Sequence, residues 1–299
     1  MSVPKSIAEY LEQLKAELAG SDPALLQDAL YDAEEYLRSE LAAHPRDGEE
    51  ALLARIASSY GRPAEVADIY RSTETTVIRA LRPPPPKPRE SALGAFFGVI
   101  NDARAYAALI YMLLAGLTGT LYFTWAITGI ALSIGLSLTI IGIAFVILFM
   151  ATVRVLSLVE GRVVEVMLGE RMPRRPAYPA AANGILDRIG QLFTDPRTWG
   201  TLIYLLLMLP LGVLYFSVAV ALLAVGVTLA GAPLIALFSA GTVMIGPLSG
   251  GDLGLASVPV FMVMSAFGVL LLIGLLHLAR GVAHVHGAIA KNLLVKWGD

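Results

Sequence analysis

His277 and His284 stand seven residues apart on one helical face, a spacing that could hold a metal ion weakly; at the end of a long apolar run they read first as interfacial polar residues. Tyr111 and Tyr122 are eleven residues apart, about three helical turns, and Tyr204 with Tyr215 repeats the pair. Rings so placed serve as anchors at the two membrane interfaces, and the alternative is a symmetric aromatic pocket binding an amphiphilic ligand. Nearer the N-terminus, Asp28, Asp32 and Glu35 line an acidic helix, either as a solvated face or as a surface that binds a partner. Catalytic chemistry has no comparable candidates. The chain lacks a P-loop, a His-Glu-x-x-His motif, a Gly-x-Ser-x-Gly elbow and a carboxylate pair suited to acid–base work. With no cysteine, thiol catalysis, disulfides and Cys–zinc sites are excluded. No enzyme, cofactor or metal is expected.

Two kinds of segment must position these residues. Ala105 to Val153 is a run of 49 residues without Asp, Glu, Lys, Arg or His; Thr198 to Gly251 is equally free of them, and Leu253 to Leu276 follows after Asp252. A crossing needs about 20 apolar residues, so these runs belong in a bilayer. A hydrophobic share of 56% and a mean hydropathy of +0.69 agree. Residues 1–82 carry 15 acidic and 9 basic side chains and the remainder 9 and 13, so neither part is basic enough to bind nucleic acid directly. The N-terminal stretch lacks the apolar core of a signal peptide and should stay in the cytoplasm. Ion pumps and carriers of charged substrates place ionisable groups inside their spans, and these runs contain none.

Residues 5–72 read as a compact helical unit. Ile7, Leu11, Leu14 and Leu18 form one apolar stripe on a helix that stops near Gly20. Asp22 as N-cap and Pro23 at the first position open a second helix to about Leu41, with Leu26, Leu30, Ala33 and Leu37 inward. A third helix is expected over Glu49 to Tyr60, and a fourth from Ala64 to about Arg71 after Pro63. The acidic second helix followed by Gly61, Pro63 and Glu65 resembles the HAAS family of small α-helical bacterial signalling domains, in which a Gly-x-Pro-x-Glu segment introduces the final helix. The resemblance implies a cytoplasmic interaction module whose partner is a protein such as a transcriptional regulator. It implies no catalytic residue. Pro83 to Pro88 then forms a stiff polyproline spacer roughly 19 Å long at ~3.1 Å per residue.

Shifting the chain by 93 positions aligns Asp102 with Asp195, Arg104 with Arg197, Tyr111 with Tyr204, Gly119 with Gly212 and Tyr122 with Tyr215, and 11 of the 22 positions from 102 to 123 are identical. A common apolar bias would not match Asp, Arg, Gly and Tyr, so the membrane part is a duplication. Amphipathic stretches precede both copies: Leu93, Phe96, Phe97 and Ile100, then Ile185, Ile189, Leu192 and Phe193. At an offset of 120, Glu160 meets Arg280, either as a salt bridge between the copies or as two independent solvated helix ends. The organisation expected is a bundle over 1–76, a linker over 77–91, one membrane repeat over 92–178 and a second over 179–299.

Basic residues precede the first span, fill the connector between the copies (Arg154 to Arg197) and follow the last span, which places all three on the cytoplasmic side. Four crossings result, at about 105–130, 133–157, 199–225 and 257–280, with 227–250 as a re-entrant or outer segment broken at Pro233; a fifth full span would put the C-terminus outside. Thr198-Trp199, the run Leu205 to Gly212, Gly251 to Gly254, and Leu278 to Gly281 together resemble the duplicated four-span sensor membrane domain of bacterial sensor histidine kinases. No phosphoacceptor helix or ATP-binding domain follows up to residue 299, so output is expected through the front module.

The expectation is an all-α protein: a soluble helical bundle followed by a duplicated polytopic membrane domain. It would act as a sensory or regulatory protein of the bacterial inner membrane, with a cytoplasmic N-terminus. Its surroundings are the lipid bilayer and a cytoplasmic protein partner, with no direct nucleic-acid contact and a homo-oligomer compatible with the sequence. The alternative is an accessory subunit or permease for an apolar or lipid-like compound.

Overall fold

The front bundle shows how closely local chemistry sets element ends. In a computed structural model describing residues 4–44, 48–56, 59–81, 92–175, 190, 193–234 and 258–296, the first four helices are α1 (Ile7–Glu17), α2 (Pro23–Ala43), α3 (Glu49–Ile56) and α4 (Pro63–Leu81). Ser6 caps α1 through an Oγ that accepts from Glu9 N at 3.1 Å, and Gly20 leaves the helix at φ +82°. Asp22 caps α2, with Oδ1 accepting from Ala24 N at 2.9 Å and Pro23 at the first turn. The Gly-x-Pro-x-Glu segment has a mechanical reading: Gly61 turns at φ +106°, Pro63 starts α4, and Glu65 reaches back to the Arg62 N–H at 3.0 Å.

Leu14, Leu18, Leu37 and Leu52 are wholly buried at the centre of this bundle, with Ala33 and Ala67 beside them and Leu26 and Leu30 packed at its edge. Each buried leucine contributes roughly 1.5–3 kcal/mol of burial. Tyr10 Oη donates to the Gly61 carbonyl at 3.0 Å, and Ile7 N to Glu49 Oε2 at 2.9 Å, tying α1 to both later turns. Two helix ends differ from the sequence reading. Helix α3 ends at Ile56, before Tyr60, and α4 runs past Arg71 to Leu81 despite the poor helix formers Thr73, Thr75, Thr76 and Val77.

Among the described residues, four further helices are long and apolar enough to cross a membrane: α6 (Ala103–Leu136), α7 (Ile140–Leu168), α8 (Pro196–Ala230) and α9 (Val258–Lys291), preceded by the short α5 (Ala92–Phe97). At ~1.5 Å per residue the longest exceed the ~30 Å hydrocarbon layer. The extra turns carry charged residues that the sequence reading left outside the spans, as α7 continues through Glu160, Arg162 and Glu165. Thr139 caps α7 with its Oγ1 on Gly142 N at 3.0 Å, and Gly169 ends it at φ +81°. Outward side chains such as Ile141, Leu148, Val213 and Val263 are exposed and apolar, as a lipid-facing surface requires. The chain is a multi-pass membrane protein with no strand among the described residues. Residues 227–230 belong to α8 rather than to a separate segment, while 235–257 and the spacer Pro83 to Pro88 lie outside the described residues.

The fold divides into two units, Met1–Lys87 with Thr128–Tyr204 and Ile289–Asp299, and Pro88–Ile127 with Leu205–Ala288. In the second unit α6 and α8 cross at glycines. A Cβ on Gly119 would sit 2.2 Å from the Met208 carbonyl oxygen, and one on Gly212 would sit 2.1 Å from that of Ala115. Gly119 with Gly212, and Ala115 with Met208, are each 93 residues apart, so the crossing contacts are reciprocal. Only glycine permits backbones this close.

Candidate functional site

In the first unit the front bundle grips the segment that leaves α7. Asp28 is buried on α2, and its Oδ1 accepts the consecutive N–H groups of Arg174 (2.7 Å) and Arg175 (2.8 Å) while Oδ2 accepts from Arg171 Nη2 (2.9 Å). Gln27 Nε2 donates to the Arg175 carbonyl at 2.6 Å, and Asp32 pairs with Arg175 Nε at 2.8 Å. Arg171 also meets Glu74 of α4 at 2.7 Å and Glu165 of α7 at 3.5 Å, which accounts for the length of α4: its last turns carry a carboxylate to this cluster. A further tie joins Lys291 to Asp22.

Burial pushes the Asp28 carboxyl above its ordinary value, outweighing the two N–H bonds and the Arg171 charge that pull it down. Burial would lower Arg171, yet Glu74, Asp28 and Glu165 together hold it above its ordinary value, so it stays a cation among three carboxylates. Of the acidic residues singled out in the sequence, Asp28 and Asp32 hold the connector, whereas Glu35 is exposed and acts only through its charge on Arg175. The basic connector, which served the sequence reading as a topology marker, is the residues' actual counterpart. The missed signal was charge complementarity between two segments some 140 residues apart, for which no local pattern exists.

The four tyrosines stand elsewhere than expected. Tyr111, Tyr122, Tyr204 and Tyr215 are all buried in protein, which removes them from the lipid-facing belt. Tyr111 Oη lies 2.6 Å from His286 Nε2, and Tyr215 Oη 3.5 Å from its Nδ1, so His286 is enclosed between two phenols. Tyr204 Oη donates to the buried Glu160 at 2.8 Å. The expected Glu160–Arg280 bridge gives way to other partners: Arg280 pairs with Asp102 at 3.4 Å, and Glu160 takes the Tyr204 hydroxyl.

The observed contacts follow another spacing. Asp102 caps its helix through the Arg104 N–H and pairs with Arg280; Asp195 caps its own through the Arg197 N–H and pairs with Arg154 at 3.0 Å. Nine residues after each aspartate comes the tyrosine, and six residues after each arginine comes its partner, His286 or Glu160. Arg154 and Arg280 thus make like contacts, as do Glu160 and His286, and the members of each pair lie 126 residues apart rather than 120. Of the remaining histidines, His277 Nε2 sits 2.9 Å from the Phe96 carbonyl with its ring stacked on Phe96, and His284 is exposed.

No curated protein and no solved structure matches the chain. A family model described as "Putative sensor" does, over residues 111–294, which takes in the crossing glycines, both tyrosine clusters and the connector gripped by Asp28. With more than half of its length matched, and four apolar helices of membrane length within or overlapping the match, the chain belongs to this sensor family.

Proposed function

We propose that the protein is a sensory or regulatory component of the bacterial cytoplasmic membrane, with both termini in the cytoplasm, that passes a membrane or envelope signal to a cytoplasmic protein through its N-terminal module. The observation that carries this reading is the grip of Asp28 on Arg171, Arg174 and Arg175, which begins two residues after the Gly169 cap of α7. A displacement of α7 is thereby applied directly to α2 of the module. The HAAS-like arrangement of α1 to α4 supports the assignment of α2 as the output surface, and a transcriptional regulator is the partner class that fits it. The reciprocal crossing of α6 and α8 and the matched Asp–Arg and Tyr contacts support a duplicated membrane core.

The cysteine-free chain makes a direct test practicable. Nitroxides on cysteines replacing the exposed Glu12 of α1 and Val166 of α7, in nanodiscs, report whether the module follows the helix. A single narrow distance distribution is expected, shifting when the bilayer is thinned and broadening in Asp28→Ala. A broad distribution in the parent chain, or one indifferent to Asp28→Ala, would refute coupling through this contact. Replacing Pro83 to Pro88 with a Gly/Ser stretch should perturb the distribution less than Asp28→Ala, because the grip bypasses the spacer.

A further inference from the structure

Resting on the reading of α2 as the output surface, we infer that its face of Gln27, Asp28, Tyr31 and Asp32 is a peptide-recognition surface whose protein partner presents arginines from a bent, non-helical backbone. The chain's own Glu170–Arg175 is the resident occupant that such a partner must replace.

The contacts are those of a bound peptide rather than of a charged patch. Positions 27, 28, 31 and 32 fall on one helical stripe. From it Asp28 accepts two successive backbone N–H groups and Gln27 donates to a backbone carbonyl, so main chain is read in both senses. Side chains are read as well: Arg171 on Asp28, Arg175 on Asp32, and the Arg175 guanidinium 5.6 Å over the Tyr31 ring. A planar guanidinium suits both the carboxylates and the ring, whereas an ammonium would satisfy only the charge. The occupant is neither helix nor strand from Glu170 to Arg175, and its bend at Arg174 and Arg175 turns both N–H groups onto Asp28. Because a tethered segment acts at an effective concentration of roughly millimolar, an outside ligand of micromolar affinity is strongly screened until the connector lifts.

The test uses a fluorescein-labelled peptide of the sequence Gly169 to Arg175, titrated by anisotropy against the full chain in zwitterionic nanodiscs. In Arg171→Ala/Arg175→Ala, whose connector is weakened, binding should be at least tenfold tighter than in the parent chain. Adding Asp28→Ala should abolish that gain, and a peptide with lysine at its three arginines should bind at least fivefold more weakly. No gain in the weakened chain, a gain that survives Asp28→Ala, or equal binding of the lysine peptide would overturn the inference. If circular dichroism shows the double variant misfolded, Arg175→Ala alone is read in the same way, with a gain of at least threefold expected. Peptide binding needs no signal, so its failure leaves the nitroxide result standing, and a failed nitroxide test with peptide binding intact would sink the sensory coupling instead.

Discussion

Replacing Asp28 should release the connector, and the two replacements Ala and Asn should differ in a way the geometry dictates. The Asp28 side chain is 8% exposed, so solvent screens its interactions little. Alanine removes the acceptor of two backbone N–H groups and one guanidinium; at roughly 1.5–3 kcal/mol for each bond to a charged group, the gross loss is about 5–9 kcal/mol. Three effects offset it. The carboxylate no longer bears the burial cost that raises its pKa, Arg171 keeps Glu74 and Glu165, and the freed N–H groups reach water as the segment lifts. The net loss should be about 2–4 kcal/mol, a roughly 30- to 1000-fold rise in the opening equilibrium. Asparagine can keep its oxygen on both N–H groups and turns only its amide towards Arg171, so about 1–2 kcal/mol is expected. Amide hydrogen exchange at Arg174 and Arg175 in nanodiscs measures this opening directly. Unprotected amides in the parent chain, or equal acceleration by Ala and Asn, would show that Asp28 does not hold this segment.

Gly119→Ala and Gly212→Ala should each lower the melting temperature in detergent, by an amount corresponding to about 1–3 kcal/mol of overpacking, because the new methyl meets a carbonyl oxygen across the crossing. Gly274→Ala and Gly281→Ala, with nothing within 4 Å, are the controls and should leave it unchanged. Alkaline pH should unfold the front bundle: burial, then Asp32 and Tyr36, push Tyr60 up to about 12, and burial raises Tyr10 and Tyr70 further. Since the unfolded state loses these protons first, the stability they contribute is complete below the ordinary tyrosine value of 10 and declines above it, by about 1.4 kcal/mol per pH unit for each ring. Absorbance at the phenolate band should therefore rise cooperatively with loss of helix, and independent early titration would contradict the burial. A reporter active only outside the membrane should be silent after Asp299, whereas activity there would reveal a further crossing within the segment from Ile235 to Ser257.

Helix type and the caps at Asp22, Gly20 and Pro63 were legible in the chain, because each depends on residues within one or two turns of one another. The long runs without a charge placed the membrane helices for the same reason: exclusion from a hydrocarbon layer acts on every residue of a segment independently. The likeness of the stretches that follow Asp102 and Asp195 was equally visible. What each of those residues touches was not. Tyr111 finds a histidine and Tyr204 a carboxylate; Glu160 and Arg280, matched by simple offset, take separate partners, Tyr204 and Asp102. The acidic face of α2 reads in sequence as either solvated or partner-binding, and only the fold brings Arg171, Arg174 and Arg175 against it. A hydrogen bond or ion pair is decided by positions to within a fraction of an ångström, and for residues more than a hundred positions apart only the packing of whole helices supplies them.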